Sequence, residues 1–171
     1  MKNWMLFVAL MYLGGCASHR CANEMPDDAA AGSACRDQYM LYRNDMLQAK
    51  LLVSQGDPAN YELAHALLRR AAVDDSSGEA DFYQAVLLIR EQGDRQQIID
   101  LLSDAASHEH PLAIALLSQQ LTLTDPKQAE HYKARYAELD VARSGYPSFE
   151  QALVVIRTLV MAPDERGAAA N

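Results

Sequence analysis

From about residue 33 onward, apolar side chains recur at three- and four-residue steps almost without interruption, the spacing of one buried helix face. Tyr39, Tyr42, Met46, Ala49 and Val53 mark such a face on a first helix, which Ser33 caps and Gly56 ends. Asp57-Pro58 pairs an N-cap with proline at the first helical position and predicts a second helix through "ANYELAHALLRRAAV". "DDSSG" breaks that helix, "EADFYQAVLLIREQ" forms a third, and Gly93 closes it. Asp94 then caps "RQQIIDLLSDAAS", and His110-Pro111 opens "LAIALLSQQLTL". Asp125-Pro126 starts "KQAEHYKARYAELDVARS", while Pro147-Ser148 starts "FEQALVVIRTLVM". No useful stretch alternates with period two, and no Asn-Gly or Asp-Gly turn is present. The pattern predicts an all-α chain of about seven helices.

The helices contain an internal echo. "ALLRRAAV" at 66–73 aligns with "DLLSDAAS" at 100–107, so Leu67, Leu68, Ala71 and Ala72 match Leu101, Leu102, Ala105 and Ala106. A weaker third copy begins at Asp125-Pro126, with Ala129 in the place of Ala64 and Ile98. Alanine at such positions lets antiparallel helices approach closely. The series Gly93, Ile98, Leu102, Ala105 and His110-Pro111 resembles the pattern of tetratricopeptide repeats and their Sel-type relatives, over about residues 57–140. Two departures stand out: Gly56 to Ala64 is longer than the motif, and Ser76 occupies the usual place of proline. The resemblance implies antiparallel helix pairs stacked as a short α-solenoid, with a groove lined by the first helix of each pair. Tyr39, Tyr42, Tyr83, Leu87, Arg90, Leu117 and Gln120 are the residues expected in that groove.

The N-terminus has a different character. Lys2 precedes an uncharged run from Trp4 to Leu13, too short to span a bilayer but of the length and polarity of a secretory signal. Leu13-Gly14-Gly15-Cys16 closes it and resembles the lipobox of bacterial lipoproteins. The resemblance implies cleavage before Cys16, acylation of its thiol (and commonly of the new amine), and stable anchoring by several acyl chains. Ala17 rather than Asp after the cysteine makes the periplasmic face of the outer membrane the expected address. In an exported chain the two remaining cysteines, Cys21 and Cys35, are expected to pair, closing a loop of about 15 residues worth about 3 kcal/mol; two unpaired thiols are the alternative. The expected organisation is a signal peptide at 1–15, a polar tether at 16–32, a helical repeat domain at 33–161 and a frayed tail at 162–171.

Charge and motif content narrow the function. With 15 Lys plus Arg against 23 Asp plus Glu, the net charge of −8 argues against nucleic acid and against electrostatic adhesion to anionic lipid. "HEH" at 108–110 places its histidines two apart, off a common helix face, so a histidine there reads as a C-terminal cap interacting with the helix dipole and not as a metal ligand. No GxSxG, phosphate loop or HExxH is present, and the scattered carboxylates single out no catalytic pair. No enzyme activity, cofactor or metal is therefore expected. The combined resemblances imply a protein-binding scaffold or assembly adaptor for an envelope machine, such as secretion, pilus or polysaccharide export. A self-associating structural lipoprotein and, further off, a cell-wall-modifying enzyme are the alternatives.

Overall fold

The computed structural model describes residues 33–139, 145 and 148–161. The segments expected to be signal peptide, tether and tail, with Leu13-Gly14-Gly15-Cys16 and Cys21, lie outside the described residues. Among the described residues there are helices and turns but no strand, so the all-α expectation holds. α1 runs Ser33–Gln55. A 3₁₀ turn, Pro58–Asn60, leads into α2, Tyr61–Ala72. α3 is Glu79–Arg90, α4 Arg95–Ser107, α5 Pro111–Leu121, α6 Pro126–Glu138 and α7 Phe149–Val160.

Local chemistry sets most of these boundaries. The Asp57, Asp94, Asp125 and Ser148 side chains each accept a backbone N–H of the first turn. The third helix ends differently from expectation. It stops at Arg90, and Gln92 rather than Gly93 takes the left-handed conformation, with φ 55°. The Gly93 N–H then returns to the Leu88 carbonyl at 2.8 Å, which is the Schellman closure. α4 closes the same way: Glu109 has φ 60°, and the Glu109 and His110 N–H groups bond Ala106 and Ala105 carbonyls. α6 stops at Glu138, short of Ser144, because Leu139 turns extended and tucks its side chain against the core.

Connections this short leave successive helices antiparallel. α1 packs on α2, α3 on α4 and α5 on α6, and α2–α3 and α4–α5 contacts stack the pairs. Gln38 on α1 bonds Asp74 just past α2, and Asp45 pairs with Arg70, fixing that first antiparallel register. Leu68 and Leu102 are both fully buried, as are Ala71 and Ala105. The start of α3 lies close against the backbone of α4. Gly78, the N-cap of α3, has φ +71°, and a Cβ there would lie 2.7 Å from Ala105 Cα.

The core runs through the stack and includes Phe82, Leu87, Leu102 and Ile114. α5 is its axis: every residue from Leu112 to Ser118 is buried. A helix enclosed on all sides needs a third wall besides α4 and α6. α7 supplies it, packing on α5 and α3 and burying Ala152 and Ile156.

The Gly78–Ala105 contact generates a prediction. Gly78→Ala combines left-handed strain of about 1 to 2 kcal/mol with a clash against backbone that cannot step aside. It should lower the denaturant midpoint strongly, with a total cost above about 3 kcal/mol. Gly145→Ala, with φ +66° and nothing within 4 Å of the added Cβ, should cost the strain alone.

Candidate functional site

The residues expected to share a groove separate into three groups. Leu87 and Leu117 are 0% exposed and belong to the core. They do not line a groove. Arg90 is also spent on structure: its Nε donates to the Leu159 carbonyl at 2.7 Å and its Nη1 to the Val53 carbonyl. One guanidinium thus satisfies carbonyls in the last turns of α1 and α7, where a cation is favoured by the helix dipole. Gln120 is half-buried at the far end of α5, where its carbonyl accepts from Arg95 Nη2 at 2.6 Å.

Tyr39 and Tyr42 line a cleft together, and Tyr83 lies beside one of its walls through Lys50. A cleft of about 430 Å³ opens between α1 and the loop before α3. Tyr39, Arg43, Leu47 and Lys50 project from α1 along it, with Tyr42 and Met46 deeper. Ser76, Ser77 and Glu79 form the other wall. Lys50 Nζ bonds Glu79 at 2.5 Å and lies 5.8 Å from the centre of the Tyr83 ring. Arg43 lies 5.9 Å from the centre of the Tyr39 ring. Both cations therefore sit within reach of an aromatic face, which keeps them near the cleft.

Asp75 organises the wall. Its carboxylate accepts from the Tyr42 hydroxyl at 3.0 Å, the Ser77 amide at 2.8 Å and hydroxyl at 2.7 Å, and the Ala80 amide at 2.7 Å. Burial alone would push that carboxyl up, but these donors outweigh it and hold it below the usual carboxylate range. The same burial, reinforced by the Asp75 and Glu79 charges, pushes the Tyr42 phenol far above its ordinary value. Tyr42 is consequently a neutral hydroxyl that donates to Asp75. Nearby Asp81 is raised by burial and by the charges of Asp75 and Asp104.

The histidines of "HEH" play two different parts. His108 is the C-cap of α4, its Nδ1 donating to the Asp104 carbonyl at 2.9 Å. His110 does the reverse: its Nδ1 accepts the Ala113 N–H at 3.2 Å and N-caps α5, while the ring stacks on Phe82 at 4.8 Å. An accepting nitrogen must be unprotonated, and burial holds the His110 pKa down to about 4. The proline after it and the two-residue spacing revealed a helix boundary, but which histidine serves which helix depends on the Schellman turn between them.

Among the described residues no cluster of His, Cys, Asp or Glu is placed to hold a metal ion. No described helix is long and apolar enough to cross a membrane. A shallow depression of about 400 Å³ at the start of α6 is lined by the polar residues Asp125, Lys127, Gln128 and His131. Cys35, in the first turn of α1, is disulfide-bonded. The outward face of α1 carries features absent from the expected groove: Met40, Leu47 and Leu51 are 58%, 70% and 57% exposed. Their spacing in the sequence was available as a signal, masked by the stronger inward stripe of the same helix. No family model, no curated protein and no solved structure matches the chain.

The His110 cap gives the protein a pH dependence. The unfolded chain takes up a proton near pH 6.5 and the folded chain only near 4, so stability is full above 6.5 and falls as the pH drops towards 4. The loss should reach about 2 to 3 kcal/mol by pH 4. His110→Asn, which keeps a capping acceptor that does not titrate, should remove that component from denaturation midpoints measured across this range.

Proposed function

We propose that the chain is an outer-membrane-anchored periplasmic lipoprotein that acts as a protein-binding adaptor for an envelope machine, with α1 and its cleft as the docking element. The anchoring half of this reading rests on Leu13-Gly14-Gly15-Cys16 behind an uncharged run that is too short to span. Acylation of Cys16 leaves Cys21 as the thiol for the bonded Cys35. The binding half rests on one observation: the grouping of large exposed apolar residues on α1. A folded domain normally scatters such residues singly, as this one does with Leu63 on α2, Val73 at its C-cap, Leu123 in the turn after α5 and Val154 on α7. The mixed polar and aromatic cleft beside them resembles the rim of an interface, where a few hydrogen-bonding groups surround an apolar centre.

The self-associating alternative draws on the same exposed residues. Light scattering separates the two, since an adaptor is monomeric at concentrations where a structural lipoprotein has assembled.

Two measurements test the proposal. Labelled palmitate should enter the cell-made protein and the product should fractionate with outer membranes, while Cys16→Ala should abolish the label and release the chain. A photocrosslinker at Leu47 should yield a discrete adduct with an envelope protein identifiable by mass spectrometry, and one placed at Leu123 should not. A free thiol at Cys16 with residues 1–15 retained defeats the anchoring claim, and no adduct from Leu47 defeats the binding claim.

A further inference from the structure

We infer that the outward face of α1 receives an acidic amphipathic helix of the partner protein, laid along a heptad seam; the inference rests on reading the chain as an adaptor. Met40 and Leu47 are seven residues apart, and Asn44 and Leu51 follow each of them by four. On a helix these four positions form one line, the a and d seam of a coiled coil. Tyr42, Met46, Ala49 and Val53, buried on the other side, hold α1 to the core and leave that line facing out.

The charge beside the seam identifies the occupant. Arg36, Arg43 and Lys50 also recur at seven-residue steps and flank the apolar line on its cleft side. Arg36 and Arg43 are exposed, and Lys50 keeps 40% of its side chain accessible while bonded to Glu79. Asp37 is the acidic residue on the seam itself. Across residues 33–72 Arg36, Arg43, Lys50, Arg69 and Arg70 outnumber Asp37, Asp45, Asp57 and Glu62, in a chain whose overall charge is −8. A basic row in an acidic protein favours an incoming helix with carboxylates at its flanking positions, by steering and by exclusion of the wrong charge.

A second copy of α1 fits less well. Antiparallel pairing through Asn44 and Leu47 brings Arg43 of one copy beside Lys50 of the other, and parallel pairing sets Asp37 against itself. α6, at the other end of the paired stack, exposes Lys127, Glu130, His131 and Lys133 and has no apolar line to offer.

The test uses the mature chain and two synthetic three-heptad peptides with Leu at a and d, one with Glu and one with Lys at every e and g position. Like charge keeps each peptide from pairing with itself. Fluorescence anisotropy should show the Glu peptide bound at least ten times more tightly than the Lys peptide, with the difference shrinking as salt is added. Leu47→Asp should abolish binding. Arg36→Glu with Arg43→Glu should invert the preference between the peptides, an outcome that loss of fold cannot produce. Equal binding of both peptides, binding of neither at about 100 μM, or binding unchanged by Leu47→Asp overturns the inference. So does a Leu47-dependent homodimer, or Leu47-dependent attachment to phosphatidylglycerol vesicles without peptide binding. An in-cell Leu47 adduct to a protein lacking an acidic helix would overturn this inference and leave the adaptor reading standing.

Discussion

The Arg90 guanidinium holds together helix ends that lie far apart in sequence. It bonds a carbonyl in the last turn of α1 and another in the last turn of α7, from its own place at the end of α3. Its Nη2 atom is buried with no partner among the described residues, a cost accepted only where the other two bonds fix geometry. With α7 held there, its Ala152 and Ile156 face inward and the apolar sides of α3 and α5 are closed. The surface open for contact is consequently displaced to the first helix.

That displacement explains which parts of the molecule were legible in the sequence. Helix positions followed from caps and periodicity, because Asp57, Asp94, Asp125 and Ser148 act within a few residues of themselves. The small-residue echo of Ala71 and Ala105 likewise reported buried, closely packed positions. The groove was not legible. Leu87 and Leu117 are buried in the core, and periodicity within one helix does not encode which distant elements, α7 among those packed on α3 and α5, enclose it. The continuous apolar run "LAIALL" in α5 did carry a warning, since a helix apolar all round is normally enclosed.

Spacing assigned Tyr39, Tyr42 and Tyr83 to one groove, but their surroundings in the structure differ. Tyr42 is a structural donor to Asp75, and Tyr83 sits near Lys50. Tyr39 lines the cleft with the Arg43 guanidinium 5.9 Å from its ring centre. Electrostatics in this region is local: a half-buried carboxylate with four donors, a neutral imidazole stacked on Phe82, and cations held over aromatic rings.

The cross-links between α1 and α2 are spread along the helix rather than gathered at one end: Gln38 to Asp74 near the start, Asp45 to Arg70 midway. A pull along the axis of α1 therefore loads these bonds and the apolar contacts between them simultaneously, in shear. The same force applied sideways would break them one after another, like a zipper. The helix that carries the exposed seam is thus mechanically strongest against tension directed along its own length.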